Sequence, residues 1–169
     1  MSLTLILMRH SHAADEPGCR DFDRPLTNAG VHLAEATGRL LGELGYVPEL
    51  VVASAAVRTQ ATAGHVIDQF ESAVQTHSPD ELYQGPPSAY LPAIQNVVSP
   101  DTAVVMVIGH NPGIGSLICS VAGQRHSIPP ATVGIFQLDT EDWFQLQGLN
   151  HATASFVQLI ANGEVIAGR

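Results

Sequence analysis

Apolar residues along the chain fall into short continuous runs separated by longer periodic stretches. Residues 3–8, 50–53 and 103–108 are apolar runs flanked by polar residues, the pattern of strands that are covered on both faces. Between and after these runs, apolar residues recur at the spacing of one helix face. We therefore predict helices between Thr27 and Gly45, over residues 56–70, and from Pro112 to Gly123.

Residues with strong positional preferences mark the ends of these predicted helices. Thr27 stands where a threonine hydroxyl can cap the first turn, and Gly45 stands where a glycine can end a helix. Pro112 suits the first turn of the third helix, because a first-turn residue has no intrahelical bond to donate.

The pattern of apolar residues changes after Pro129 and Pro130. Shorter alternating runs at residues 133–138 and 155–160 indicate antiparallel strands at one edge. The repeated strand and helix order predicts an α/β fold, a three-layer sandwich with a mostly parallel central sheet flanked by helices. No repeat, low-complexity tract or linker interrupts the sequence, so we predict a single domain over residues 1–169.

Composition narrows the functional classes. The 169 residues include 16 acids and 7 basic residues, all of them arginine, for a formal net charge of -9. Such a surface disfavours nucleic acid and anionic membranes, which bind dense basic patches. The first apolar run is too short for a leader or a membrane span, so we expect a cytoplasmic protein. Cys19 and Cys119 lack disulfide or metal spacing and are expected to be reduced.

Polar residues follow three of the predicted strands at their carboxyl ends. Arg9 and His10 follow the first strand, Arg58 lies on the helix after the second, and His110 follows a later one. In open α/β sheets these ends meet at one crevice, where ligands bind. Two arginines and two histidines are therefore expected to converge.

These four residues suit the chemistry of phosphate. Arg9 and Arg58 can each bind two phosphate oxygens through a planar guanidinium. Their charges favour a neutral imidazole at His10, which can attack phosphorus and form a covalent intermediate. His110 can donate to the phosphoryl oxygens as charge develops.

Three motifs carry a family resemblance. Residues 5–10 (LILMRH) with 24–30 (RPLTNAG), 54–62 (SAAVRTQAT) and 109–112 (GHNP) resemble the histidine phosphatase superfamily, also called phosphoglycerate-mutase-like. The short length is similar to its SixA-type branch of phosphohistidine phosphatases. The resemblance implies that His10 is the nucleophile, that Arg9 and Arg58 bind phosphate, and that His110 completes the pocket. It implies no cofactor, and it gives Arg24 a supporting role.

Several positions depart from the family pattern. Ser11 replaces the usual glycine after the nucleophile, where its side chain either crowds or binds the phosphate. His12 stands where the short branch is often acidic, and it forms a His-x-His pair with His10. We do not expect a metal there, because the two arginines oppose a cation and no third ligand is suitably spaced. Asn111 is a further candidate for substrate binding.

The candidate general acid is Glu81, which lies in a segment that resembles the family's acidic loop, with Asp80 as the neighbouring alternative. A surface role for either carboxylate is equally consistent with the sequence. Phosphohistidine relaxes this requirement, since its leaving imidazole is protonated near neutral pH.

Three functions remain open at this stage. The leading hypothesis is a phosphohistidine phosphatase whose partner is a phosphorylated protein. The second is a phosphomonoesterase, or less favourably a mutase, that acts on a small phosphorylated metabolite or nucleotide. The third is a phosphate-binding module without catalysis. The sequence leaves the oligomeric state undetermined, although we favour a monomer.

Overall fold

A computed structural model describes residues 2–168 of the chain. Seven strands and four α-helices lie within this range, joined by loops that include four short 3-10 turns. Strands β1 to β7 are Thr4–Arg9, Leu50–Ala53, Gln75–His77, Val104–Gly109, Val133–Leu138, Ala154–Ala161 and Glu164–Gly168. Helices α1 to α4 are Asn28–Glu43, Val57–Ile67, Tyr90–Gln95 and Gly113–Ala122. The 3-10 turns are Asp21–Asp23, Asp80–Leu82, Pro87–Ala89 and Trp143–Gln145.

All seven strands form one sheet in the order β3-β2-β4-β1-β5-β6-β7. Strands β3, β2, β4 and β1 are parallel to one another. Strands β5, β6 and β7 add to the other side by antiparallel pairing. The prediction of a sheet with a parallel centre and an antiparallel edge is confirmed, and the edge includes three strands.

The two faces of the sheet bury different residues of the same strands. On β1, Leu5 and Leu7 face a core that includes Ile94 of α3 and Ile118 of α4. The alternate residues of β1 face a second core that includes residues of α1 and α2. This alternation follows from the two-residue period of a strand. Because helices cover both faces, the predicted three-layer sandwich is confirmed.

Helix ends follow the sequence signals closely. The Thr27 hydroxyl accepts a hydrogen bond from the Gly30 N–H at 2.9 Å and so caps α1. Gly45 and Gly123 have φ of +81° and +70°, in the left-handed region that glycine tolerates. Pro112 is the N-cap of α4 rather than a first-turn residue, and the helix begins at Gly113.

Three elements are absent from the sequence predictions. Strand β3 is exposed at every position, and β7 is largely exposed, so neither shows the apolar run of a covered strand. Helix α3 has only six residues, with Pro92 inside it. Among the described residues, no helix combines the length and the apolar character that crossing a membrane requires.

Candidate active site

A cavity of about 320 Å³ opens at the carboxyl edge of the parallel strands. It lies where β1 and β4 end side by side, since Arg9 pairs with Gly109 in the parallel register. The predicted crevice therefore exists, and it contains the four residues expected to converge. The lining residues are Arg9, His10, His12, Ala13, Asp21, Arg24, Arg58, Gln84, His110, Asn111 and Pro130.

His10 lies at the buried end of the cavity, with 9% of its surface exposed. Its Nδ1 lies 2.7 Å from the Ser11 carbonyl oxygen. A carbonyl oxygen only accepts, so Nδ1 carries the ring proton and donates it. Nε2 is then the unprotonated nitrogen, and it accepts a hydrogen bond from Arg58 Nε at 3.3 Å. The lone pair of the His10 ring is therefore on Nε2, on the side of Arg58.

Electrostatics keep the His10 ring neutral. The pKa of His10 is lowered to about 4, chiefly because burial disfavours the charged ring. The hydrogen bond to Ser11 opposes this effect, whereas the charges of Arg58 and Arg9 add to it. At neutral pH the His10 ring is therefore uncharged.

Arg58 connects the central side chains. It is 4% exposed on the first turn of α2. Its Nη2 donates to the Asp21 carboxylate at 3.0 Å and to His110 Nδ1 at 3.2 Å. Its Nη1 donates to the Asp21 carbonyl. The guanidinium plane is therefore fixed by contacts on several sides.

His110 adopts the opposite tautomer to His10. Its Nδ1 accepts from Arg58, and its Nε2 lies 2.7 Å from Ser54 Oγ, so the proton is on Nε2. The two imidazole rings are 5.1 Å apart between centroids. The pKa of His110 is lowered to about 3, mainly by burial and then by its proximity to His10 and Arg58. Both histidines are neutral at pH 7.

Arg9 offers a guanidinium group that is only partly engaged. Its Nη1 donates to the Ile128 carbonyl at 2.9 Å. Its Nε is buried and has no hydrogen-bond partner within residues 2–168. Burial lowers the pKa of Arg9 from its ordinary value. A buried N–H without a partner costs free energy.

Asp21 is a site residue to which sequence analysis assigned no role. Its carboxylate accepts from Tyr83 at 2.8 Å as well as from Arg58 and Arg24. These contacts lower the pKa of Asp21 to about 2, with the Tyr83 hydrogen bond as the largest cause. The ionised carboxylate offsets one of the three arginine charges in the cavity. The remaining charge suits a phosphate dianion.

Ser11 does not face the cavity. It is fully buried, and its hydroxyl donates to the Gly30 carbonyl at 2.7 Å. Its backbone N–H donates to Thr62 Oγ1 at 3.0 Å. The expectation that the Ser11 side chain crowds or binds phosphate is corrected, because the hydroxyl is turned toward the start of α1. Asn111 does line the cavity, and its Nδ2 donates to the Ile128 carbonyl at 3.2 Å.

Glu81 is not brought into the site. Its exposed side chain lines a separate cavity with His77, Pro79 and Asn96. Asp80 is exposed too and is not among the residues lining the active-site cavity. The turn Asp80–Leu82 buries Leu82 in the core, which places the side chain of Glu81 elsewhere. The geometry gives no support to a carboxylic general acid at either position.

The same loop reaches the site through the next two residues. Tyr83 donates to Asp21 and packs edge-on against His110, with ring centroids 5.7 Å apart. Gln84 lines the cavity and has φ of +54°. Sequence analysis found the loop but not these residues. The only available signal was their position directly after the turn Asp80–Leu82, which contains the acidic pair.

The donor set suits an anion better than a metal. Three guanidinium groups line the cavity, and both nitrogens of His10 already have partners. Across residues 2–168, no three His, Cys, Asp or Glu side chains form a group suited to a metal ion. Chemically, the arrangement can bind a phosphoryl group beside a neutral imidazole.

Solved structures share this architecture. The SixA protein of Nakamurella multipartitia matches 99% of this chain and 98% of its own, with a TM-score of 0.78 and 26% identity. A protein histidine phosphatase SixA complexed with tungstate matches 95% of this chain and 97% of its own, also with a TM-score of 0.78, at 21% identity. The chain shares the fold of these proteins and the motifs of the histidine phosphatase superfamily, so the resemblance inferred from its motifs is confirmed. The comparisons identify the chain as a phosphatase.

Two proteins are similar to this chain in sequence. An uncharacterised chloroplast protein of Arabidopsis thaliana is 29% identical over 163 residues, which cover 88% of this chain and 73% of the plant protein. The mitochondrial serine/threonine-protein phosphatase PGAM5 of Xenopus tropicalis is 35% identical over 83 residues. That match covers 49% of this chain and 29% of PGAM5. No family model matches the chain.

Proposed function

We propose that this phosphatase removes phosphate from phosphohistidine in a protein, through a covalent phospho-His10 intermediate and without a metal. The observation that carries the proposal is the orientation of the His10 ring. With Nδ1–H donated to the Ser11 carbonyl, the lone pair is on Nε2, where it accepts from Arg58 Nε until a phosphoryl group replaces this hydrogen bond. A fixed, neutral imidazole next to guanidinium groups is an arrangement for attack on phosphorus.

Phosphate binding uses the cations of the cavity. Arg9 lines the cavity with a guanidinium group whose Nη1 is held by the Ile128 carbonyl, and Arg58 Nε is directed at the position where phosphorus must approach His10. The incoming dianion favours the protonated form of His110, whose Nδ1 then exchanges its contact with Arg58 Nη2 for donation to a phosphoryl oxygen. Each of these interactions strengthens as charge develops on the equatorial oxygens.

Two displacements complete the reaction. His10 Nε2 attacks phosphorus while the bond from phosphorus to the leaving nitrogen breaks, and the leaving imidazole takes up a proton. Water then attacks the phosphorus of phospho-His10, the bond from phosphorus to Nε2 breaks, and inorganic phosphate leaves with His10 neutral again. Splitting the hydrolysis in this way avoids one difficult step.

The state of the carboxylates in the cavity supports phosphohistidine as the substrate. Asp21 is the carboxyl group in the cavity lining, and it is ionised and bound to Arg58 and Tyr83. An alkoxide leaving group needs a strong proton donor, whose contribution is about 10²–10⁴ in rate. A leaving imidazole is protonated far more readily. The site therefore favours phosphohistidine over phosphoserine.

The proposal is tested with a radioactively phosphorylated substrate, by measuring the label that is transferred to the protein and the phosphate that is released. We expect the wild-type protein to form an acid-labile, base-stable phosphoenzyme and to dephosphorylate a phosphohistidine protein in buffer that contains EDTA. We expect the turnover of a phosphoserine peptide to be at least about 10-fold slower, because an alkoxide is a poorer leaving group than an imidazole. His10→Ala should reduce both label and turnover to the level of the blank.

A matched control is His32→Ala, since His32 is exposed on α1 and does not line the cavity. This variant should retain the label and the rate. Label that persists in His10→Ala would disprove the covalent intermediate at this residue. A preference for phosphoserine would overturn the substrate assignment while leaving the nucleophile intact.

A further inference from the structure

One titratable side chain in the cavity is not used by the mechanism above. His12 lines the cavity together with His10, yet it is exposed whereas His10 is 9% exposed. His10 is therefore at the floor and His12 at the mouth. The cavity thus contains two imidazole side chains at different depths, two residues apart in sequence, in addition to His110.

We propose that His12 donates the proton to the leaving group and then accepts a proton from the attacking water. The inference rests on the proposed function of His10, and it assigns the proton transfers that this function leaves to solvent. Histidine suits both roles, because imidazole gains and loses a proton near neutral pH.

Backbone contacts hold His12 in place. Its carbonyl accepts from the Thr27 N–H at 3.0 Å, and Ala13 forms an antiparallel bridge with Leu26. Its ring Nδ1 lies 3.2 Å from Thr27 Oγ1, the hydroxyl that also caps α1. One ring nitrogen is therefore engaged with a fixed partner, and Nε2 remains for exchange of a proton.

The direction of displacement places the leaving group near His12. Attacking and leaving groups lie on opposite sides of phosphorus in a phosphoryl transfer. Since His10 attacks from the floor, the leaving group points toward the mouth of the cavity, where His12 lies. A donor at the floor would be on the wrong side of phosphorus.

Other cavity side chains are poorly suited to this role. Asp21 carries no proton at neutral pH, because its pKa is about 2. His110 is 3% exposed, and its Nε2 proton is directed at Ser54. Tyr83 holds its proton on Asp21, and this hydrogen bond raises the pKa of the phenol. Arginines do not release a proton under these conditions.

The proton balance is complete with His12. In the first step, protonated His12 gives its proton to the leaving nitrogen or oxygen as the bond to phosphorus breaks, and becomes neutral. In the second step, neutral His12 takes a proton from the water that attacks phospho-His10. His12 is then protonated again, and no other acid or base is consumed.

The test is a series of leaving groups measured on His12→Gln. On p-nitrophenyl phosphate, whose phenolate leaves without a proton, we expect a loss in kcat/KM of less than about 3-fold. On phenyl phosphate and on a phosphohistidine protein, we expect a loss of about 100-fold. His32→Gln, an exposed histidine on α1, should behave as wild type on all three substrates.

Rescue gives a second measurement. In His12→Ala, added imidazole should restore turnover of phenyl phosphate and leave p-nitrophenyl phosphate turnover unchanged. Equal losses on all three substrates without rescue would show that His12 is structural, and no loss on any would show that it is not used; both results overturn the inference. Absence of a phosphoenzyme in the wild type would instead refute the proposed function itself.

Discussion

Ser11 shows how one hydroxyl can be structural at a position next to the nucleophile. Its Oγ donates to the Gly30 carbonyl, and it has no exposed surface. For Ser11→Ala we predict a decrease of about 1 kcal/mol in the free energy of unfolding, the usual contribution of such a hydrogen bond. Chemical denaturation measures this loss, and the KM for p-nitrophenyl phosphate should change by less than about twofold.

The opposite result is equally informative. A large increase in KM with unchanged stability would mean that the hydroxyl binds phosphate, contrary to the geometry. Ser11→Gly serves as a second variant, because glycine is the usual residue at this position in the family that the chain resembles. It should give the same KM as Ser11→Ala.

The position of a site residue could be predicted from the sequence where that residue lies at the end of a strand. Arg9, His10 and His110 are positioned by the ends of β1 and β4, so their convergence follows from topology. Asp21 and Tyr83 meet through loops distant in sequence. No local pattern determines where such loop side chains point, and for the same reason the direction of Glu81 was not predictable.

At the scale of the element, the first turn of α1 supports the loop that follows His10. A Cβ added at Gly30 would lie 2.2 Å from the His12 carbonyl oxygen and 3.0 Å from its carbonyl carbon. Both atoms are backbone, so relief requires the loop to move. This contact gives a physical reason for the glycine that ends the motif at residues 24–30.

We predict that Gly30→Ala destabilises the protein by about 1–3 kcal/mol, the range for overpacked sites. It should also lower kcat/KM, because movement of the loop displaces His10 from Arg58. Thermal denaturation and p-nitrophenyl phosphate hydrolysis measure the two effects. Gly30→Ala with wild-type activity would mean that α1 does not set the position of the loop.

Gly64 provides a matched control on α2. It is a helical glycine, and a Cβ there meets no atom within 4 Å. Gly64→Ala should therefore stabilise the protein by about 0.5–1 kcal/mol, since alanine loses less backbone entropy in a helix. The two glycine substitutions should have opposite signs.

Elements that cover a core were predictable, and those at the periphery were not. Strands β1, β2 and β4 are almost wholly buried, which requires the apolar runs seen in the sequence. The edge strand β3 is exposed throughout and is polar. Its pairing is decided by the neighbouring β2 backbone rather than by its own side chains. Sequence periodicity carries no information about such a strand.

At the scale of the whole molecule, the two neutral histidines link stability to pH. The pKa values of His10 and His110 are about 4 and about 3 when folded, against about 6.5 for an unfolded histidine. Below pH 6.5 the unfolded chain therefore binds more protons than the folded one. The free energy of unfolding should fall as pH decreases from 6.5 toward 4, by up to about 2.7 kcal/mol per pH unit for both rings together.

Urea denaturation at pH 7.5, 6.0, 5.5 and 5.0 measures this dependence (roughly the window in which only imidazoles titrate). The double variant His10→Gln/His110→Gln should show a shallower slope. An identical slope in both proteins would mean that these rings are not held neutral. His32→Gln is again the control, because His32 is exposed on α1 and lies outside the cavity.

The contacts with Asp21 hold the guanidinium of Arg58 in place in the resting enzyme. Asp21 holds Nη1 and Nη2 of the guanidinium through its backbone and its carboxylate, while Nε faces His10. Departure of the product therefore leaves the guanidinium anchored, and the next phosphoryl group meets donors that are already oriented. Turnover then carries little reorganisation cost at this residue, which is the benefit of a preorganised polar site.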